Sequence, residues 1–475
     1  MLFQSWEYLL LLCVSLIAVR FFKNAVAKKS IILTASILFY TYGSGWQVLL
    51  FAVVILMAYA QGLLAEKNKN KSLFCGMLIC LFSPLALYKY VPFLLKECFG
   101  ASVDGILGQW VLPIGISFFT FQAAGYVIDV YRGKIQAEKN IVTFACFISI
   151  FPQLVAGPIE RCSNLLHQIN KFENASKDEL SEGFRHILLG LTLKLLVAET
   201  MADFVDPVYN NLSGKGGVAI LIATFCFGVQ IYCDFNGYTQ IAIGSAKLMG
   251  IDLIQNFNHP YRAVTITDFW RRWHISLTSW FRDYIYFPLG GSRCSNARML
   301  MNTLVVFLLS GIWHGANWTF ALWGLANGIA MVLEKTLIGK ERPQKYLFVR
   351  WLITYVLINL FWVLFRANSL EDACLAYTLI FTDTLPQFLS LDSVSAVVHF
   401  LLRENGWSNT VLLPALVGGG LYLWYEYGYL VRKDLTGLLF SRKACVRWII
   451  YAILLTSTLY LGKTLEQSAF VYFRF

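Results

Sequence analysis

From Tyr8 to its end the chain alternates apolar runs with short polar interruptions. Each run approaches the roughly 20 residues that a helix needs to cross a bilayer. Such runs begin near Tyr8, Ile31, Trp46, Leu73, Val111, Ile141, Phe184, Gly217, Leu300, Trp318, Val349, Val411 and Val446. Glycine and proline interrupt several, as in "PQLVAGPIER" at 152–161. Irregular backbone at that depth survives only where protein or a water-filled cavity satisfies it. The pattern predicts an all-α polytopic membrane protein with about eleven or twelve true spans plus short interfacial and re-entrant helices. No period of roughly 20 to 50 residues recurs, so the chain reads as one membrane domain over 1–475, its last span and tail at 446–475.

Composition agrees. Of 475 residues, 57% are hydrophobic and 14% charged, against about 25% charge in a soluble domain. "MLFQSWEY" lacks the basic region of a cleavable signal peptide, so the first apolar run reads as a span. The net charge of +11 does not point to nucleic acid. Its Lys and Arg sit in short loops, the positive-inside signature, and no extended basic face or soluble module is present. The eleven cysteines are scattered through apolar runs without paired CxxC motifs, as buried small hydrophobes are.

The loops also set an orientation. "RFFKNAVAKK" and "EKNKNKS" are basic, and "GSGW" between them is neutral. That places both basic loops in the cytoplasm and the N-terminus outside. "VRKDLTGLLFSRKACVR" is strongly basic, hence cytoplasmic, and the following run "WIIYAILLTSTLYLG" carries the chain out again. Both termini are therefore expected on the extracytoplasmic side of an inner or plasma membrane.

The longest polar interruption is "NFNHPYRAVTITDFWRRWHISLTSWFRDYIYFPLGGSRCSNARM", 256–299. Thr267 or Asp268 reads as a helix N-cap. Trp270, Trp273, Leu277 and Trp280 recur at three- and four-residue spacing, giving an amphipathic helix with tryptophans at interfacial depth. One reading is an interfacial helix held to anionic headgroups. The other is a lining for an anionic cytoplasmic substrate, with Arg271, Arg272, Arg282, Arg293 and Arg298 as phosphate contacts.

Polar residues inside a membrane are costly and tend to be functional. "QIYCDFNGYTQ" puts Gln230, Asp234, Asn236 and Gln240 in an apolar stretch where Gly237 permits a break. They suit either a helix-packing network or a substrate passage. His314 is the sharpest case. It stands in "GIWHGANW" between two apolar runs, with glycines and tryptophans shaping an accessible ring. An imidazole with a pKa near 6.5 is a natural general base for a hydroxyl proton; the plainer reading is a hydrogen-bonded structural residue. His167, His186, His259, His274 and His399 show no metal-ligand spacing to His314, and no metal is expected.

Together "LPIGISFFTFQ" (112–122), "FPQLVAGPIE" (151–160), "QIYCDFNGYTQIAIG" (230–244), "NFNHPY" (256–261), "TDFWRRWHISLTSWFRDYIYFPLGG" (267–291), "GIWHGANWTFALWG" (311–324) and "WVLFRA" (362–367) resemble the membrane-bound O-acyltransferase family. The resemblance is to its bacterial branch, typified by the membrane subunit of alginate O-acetylation. It implies a ring of helices around a central tunnel, with His314 as the catalytic base and His274 as the branch's second histidine. It further implies acetyl-CoA as donor, bound by arginines of the 271–298 segment. A competing relative, the D-alanyl transferase of teichoic-acid modification, takes its acyl group from a carrier protein. "LTLKLLVAET" (191–200) keeps only Lys194 where alginate-type members tend to have paired lysines, which weakens any role for that pair. The tail "FVYFRF" fits the branch's F-x-Y-x-x-F acceptor motif, with Tyr472 as acyl carrier; its alternative is an aromatic membrane anchor.

The expected function is a membrane acetyl relay that serves O-acetylation of an extracellular or cell-envelope polysaccharide. Its expected partners are the lipid bilayer, an extracytoplasmic serine-type (SGNH-like) acetyltransferase and the polysaccharide synthesis or export machinery. A transporter using His314 and Asp234 as a proton pathway is the rival from another class, and absence of inverted repeats weighs against it. A non-catalytic scaffold of an export complex is the third reading.

Overall fold

A computed structural model describes residues 3–100, 112–155, 157–337, 346–393, 396, 399–400, 409–432 and 444–462. Its helices in chain order are α1 (Trp6–Phe21), α2 (Ala25–Ser44), α3 (Val48–Lys67), α4 (Lys71–Lys89), α5 (Val91–Phe99), α6 (Ile116–Tyr131), α7 (Ile141–Ser149), α8 (Phe151–Leu154), α9 (Cys162–Lys171) and α10 (Lys177–Leu191). There follow α11 (Glu199–Tyr209), α12 (Gly217–Leu248), α13 (Ile266–Arg272), α14 (Ile275–Phe281), α15 (Asn296–His314), α16 (Trp318–Leu337) and α17 (Leu347–Arg366). The last are α18 (Leu370–Thr382), α19 (Thr384–Ser390), α20 (Asn409–Arg432) and α21 (Ala444–Leu461). No strand occurs among the described residues. The all-α, polytopic membrane reading stands.

Six helical stretches among the described residues are long and apolar enough to cross a bilayer: Ala25–Lys67, Lys71–Lys89, Gly217–Leu248, Asn296–His314, Leu347–Arg366 and Ala444–Leu461. Several other expected spans fall on shorter pieces. The run near Ile141 becomes α7, nine residues, or about 14 Å at 1.5 Å per residue, half of the roughly 30 Å core. The break expected at Pro152 is present: α7 ends at Ser149, and α8 lasts four residues before irregular backbone resumes. The break expected at Gly237 is not. Helix α12 runs unbroken through it, because the absent side chain is needed for close packing. A Cβ there would lie 2.9 Å from the Gly190 carbonyl oxygen and 3.0 Å from the Lys194 nitrogen.

Packing divides the chain into two compact units. One comprises 1–187, 238–256 and 276–288. Its core includes a cluster of Phe3, Tyr8, Phe39 and Phe151, and the Tyr8 hydroxyl donates to Ser245 Oγ at 2.8 Å. There the Trp280 indole donates to the Phe121 carbonyl at 2.9 Å, and His186 pairs with Gln240 at 2.6 Å. The other comprises 188–237, 257–275 and 289–475. Its backbone is the hairpin of α15 and α16. A Cβ on Gly311 would collide with the Phe320 carbonyl, and one on Gly324 with the Phe307 carbonyl. The two helices therefore approach to backbone contact, as small residues allow between membrane helices.

The polar segment 256–299 departs from its expected form. The N-cap is Thr265, whose hydroxyl accepts from the Asp268 N–H at 3.0 Å. The helix does not continue to Trp280 but divides into α13 and α14, because His274 takes a left-handed backbone (φ 44°). Trp270, Trp273 and Trp280 are buried inside the protein, so they are packing residues rather than interfacial anchors. Dispersion and apolar contacts within protein outweigh the headgroup environment for rings enclosed on all sides.

Candidate active site

His314 is the last residue of α15, and the helix stops there because Gly315 adopts an extended conformation (φ −157°, ψ 152°). The following turn is tight. A Cβ at Gly315 would overlap the Phe320 ring, and Asn317 caps α16 by accepting from the Thr319 N–H at 3.1 Å. This turn aims the His314 ring back among aromatic side chains of the same unit. Trp313 lies 4.9 Å from it, Trp323 5.0 Å and Phe365 5.4 Å, at interplanar angles of 79°, 90° and 72°. The accessible ring expected from the flanking glycines is instead 5% exposed. Those glycines are spent on chain packing, and the rings they admit close over the imidazole.

His274 approaches the same place from the break between α13 and α14. Its ring centroid is 6.5 Å from that of His314 and 6.0 Å from Trp313, and Phe235 of α12 meets it edge-on at 4.8 Å and 89°. A left-handed, non-glycine, fully buried residue is unfavourable on its own and persists only where its surroundings over-determine it. A second layer holds the box. Trp323 stacks on Trp362 at 5.6 Å, the Trp362 indole donates to the Tyr261 hydroxyl at 3.0 Å, and that hydroxyl donates to the Gly228 carbonyl at 2.7 Å. Two imidazoles so close, walled by indole and phenyl rings, can hold one hydroxyl group between them while excluding bulk water.

The arginines sort into two kinds. Arg272 is bound to Asp268 (3.0 Å) and to the Asn258 carbonyl (3.3 Å). Arg282, which belongs to the other unit, pairs with Asp283 at 2.9 Å. Arg271 and Arg293 are exposed and make no ion pair or side-chain hydrogen bond among the described residues. Arg293 follows Gly290 and Gly291, both left-handed (φ 109° and 57°), and its N–H bonds the Gly290 carbonyl. Of the expected anion contacts, Arg271 and Arg293 therefore have their guanidinium groups unengaged among the described residues, and Arg298, also exposed, spends one N–H on the Leu289 carbonyl at 3.1 Å. Tyr472 lies outside the described residues.

Sequence reasoning undervalued three polar contacts in this unit. Lys194, fully buried, lies 2.6 Å from both Asp234 and Glu199. His259 lies 2.9 Å from Glu426, and Arg366 2.8 Å from Asp206. For Lys194 and Arg366 the available signal was the presence of charges of both signs inside or beside apolar runs, which must neutralise one another. For Asp234 and Asn236 (its amide donates to the Tyr425 hydroxyl at 3.1 Å) the packing-network reading holds.

The sequence model of the membrane-bound O-acyltransferase family matches residues 135–371. The chain is 36% identical over 397 residues to the probable alginate O-acetylase AlgI of Pseudomonas aeruginosa, covering 80% of this chain and 75% of that protein. The chain belongs to the membrane-bound O-acyltransferase family. It is also 33% identical over 392 residues to the peptidoglycan O-acetyltransferase of Helicobacter pylori, covering 74% and 73% of the two chains. To the teichoic acid D-alanyltransferase of Bacillus subtilis it is 27% identical over 313 residues, covering 64% and 76%. The protein is thus a multi-pass membrane acyltransferase, and both histidines of the aromatic box lie inside the matched region.

Proposed function

We propose that this acyltransferase moves an acetyl group from cytoplasmic acetyl-CoA across the membrane for O-acetylation of a cell-envelope or extracellular polysaccharide. The observation that carries the reading is the enclosure of His314 among Trp313, Trp323 and Phe365 with His274 beside it, in a chain whose relatives include two named O-acetylating enzymes. The greater identity to those than to the D-alanyltransferase, 36% and 33% against 27%, favours acetyl over D-alanyl.

In this mechanism the donor's phosphates rest on Arg271 and Arg293, and its thioester reaches the aromatic box. His314 takes the proton from an acceptor hydroxyl as that oxygen attacks the thioester carbonyl. The tetrahedral intermediate collapses, the carbon–sulfur bond breaks, and the imidazolium returns its proton to the CoA thiolate. His274 orients the acceptor hydroxyl. The dry, aromatic walls protect the thioester from hydrolysis. No metal has a part in these steps.

The acceptor in this account is the hydroxyl of Tyr472, on a tail placed outside by the basic segment 432–447. CoA cannot cross the membrane, so the acetyl group must leave it there. A phenol, with a pKa near 10, is a better leaving group than a sugar hydroxyl and keeps the ester reactive. An extracytoplasmic serine-type (SGNH-like) transferase would take the acetyl from the tail and pass it to polymer delivered by the synthesis or export machinery. The whole chain, 1–475, acts as one domain in an inner or plasma membrane, with both termini outside.

Three outcomes test the reading. His314→Ala should lower polymer acetylation by roughly 10²–10⁴-fold with normal membrane assembly; near wild-type acetylation would remove His314 as the base. Arg271→Gln and Arg293→Gln should each raise the KM for acetyl-CoA and weaken its salt dependence, and unchanged KM in both would leave them only a topological role. Tyr472→Phe keeps the aromatic anchor and loses one oxygen, so it should assemble yet leave the polymer unacetylated. Wild-type acetylation by that variant, with the tail shown outside by labelling an added cysteine, would reduce the motif to an anchor.

A further inference from the structure

Between α10 and α11 the backbone changes its hydrogen bonding: Thr192–Ala198 is π-helical, and the Glu199 N–H donates to the Lys194 carbonyl. In an α-helix, residues five apart lie about 140° from each other around the axis. A π turn closes between such residues and brings them onto one face. Here it sets the Lys194 ammonium 2.6 Å from the Glu199 carboxylate, while the same ammonium lies 2.6 Å from Asp234 of α12. All three belong to one unit, and Lys194 and Asp234 are fully buried. Gly237 lets α12 lie flush against this turn, since any Cβ would press on Gly190 and Lys194. A local departure from α-helical bonding, two buried carboxylates on one cation and a glycine contact all fix the same helix at one register.

What that register controls follows from the next two residues. Phe235 meets the His274 ring edge-on at 4.8 Å. Asn236 donates to the Tyr425 hydroxyl at 3.1 Å, the Tyr425 ring lies 5.0 Å from His259, and His259 pairs with Glu426 at 2.9 Å. His259 and His274, at φ 47° and 44°, are two of the four non-glycine residues with left-handed backbone among those described. Residues 234–236 thus touch the neighbourhood of both strained histidines from one turn of α12.

We infer that the Lys194–Glu199–Asp234 triad is a positioning device for the acyl-transfer centre: it locks α12 so that Phe235 holds the His274 ring beside His314. Lys194, Glu199 and Asp234 do not touch the reacting atoms. This rests on the reading of His314 as the base. Loss of the lysine leaves two buried carboxylates in mutual repulsion and frees α12 to shift. A displacement of an ångström at a reacting group can cost about 100-fold in rate.

The test uses the full-length chain in lipid nanodiscs, following the single equivalent of CoA released from acetyl-CoA per folded molecule, so that kcat and KM below are the limiting rate and half-saturation of that first turnover; the folded fraction is measured by size exclusion. Lys194→Met should lower kcat at least about tenfold with the KM for acetyl-CoA within about twofold, because the arginines that meet the donor lie elsewhere. Lys194→Arg should recover most of the rate, since a guanidinium can bridge two carboxylates. Phe235→Leu, which leaves the charges intact, should reproduce the loss of kcat; it decides the matter if Lys194→Met does not fold. Wild-type kcat in Phe235→Leu, or in folded Lys194→Met, would overturn the inference. Equal losses in Lys194→Arg and Lys194→Met would also overturn it. His314→Ala in the same assay separates the two ideas: full CoA release by that variant would defeat the reading of the base whatever the triad variants do.

Discussion

A charge within a bilayer must be neutralised by another charge or it costs several kcal/mol, and that constraint organises the unit that holds His314 and His274. Asp234 lies in the interior of the candidate span Gly217–Leu248 and is tolerated there because Lys194 meets it. Glu199, on the same lysine, is reached only through a π turn. His259 is held by Glu426 and Arg366 by Asp206. Each pair ties a helix to a neighbour through a directional contact that apolar packing alone would not supply. Side chains one residue away from these anchors inherit a fixed position, as Phe235 does next to Asp234 and Phe365 next to Arg366.

The second constraint is space. His314 can end α15 and still face inward because Gly311 and Gly324 bring two helix backbones together and Gly315 leaves room for the Phe320 ring. The reward for that closeness is an imidazole walled by three aromatic rings and a second histidine. In the proposed mechanism, acyl transfer from a thioester needs such a place: an imidazole base, an approach for a hydroxyl and little water. The donor proposed above carries phosphates, which would need the opposite, a wet cationic surface; Arg271 and Arg293 are exposed, while Arg272 and Arg282 are occupied by Asp268 and Asp283.

Much of this was legible in the sequence. The apolar runs fixed an all-α membrane protein, and the order of motifs from 112 to 367 pointed to the family and to His314 and His274. Other features depend on distant contacts that local patterns do not carry. The tryptophans of 270–280 have helical spacing, yet the helix breaks at His274, because packing against Phe235 and Trp313 settles a backbone angle that local propensity disfavours. The glycines around His314 suggested an open ring; the aromatic residues that cover it come from α16 and α17. Lys194 read as a remnant of a motif, since its partner five residues on would face away in an α-helix. Rules built on three- and four-residue spacing cannot see a π turn.

The proposed chemistry depends on where the thioester meets the protein. Electron cryomicroscopy of the full-length chain with a non-cleavable acetyl-CoA analogue measures this directly. The prediction is density for the analogue's acyl group beside the His314 and His274 rings, within reach of a hydroxyl held between them, with its phosphates against Arg271 and Arg293. A well-ordered analogue whose acyl group lies away from both histidines would contradict it.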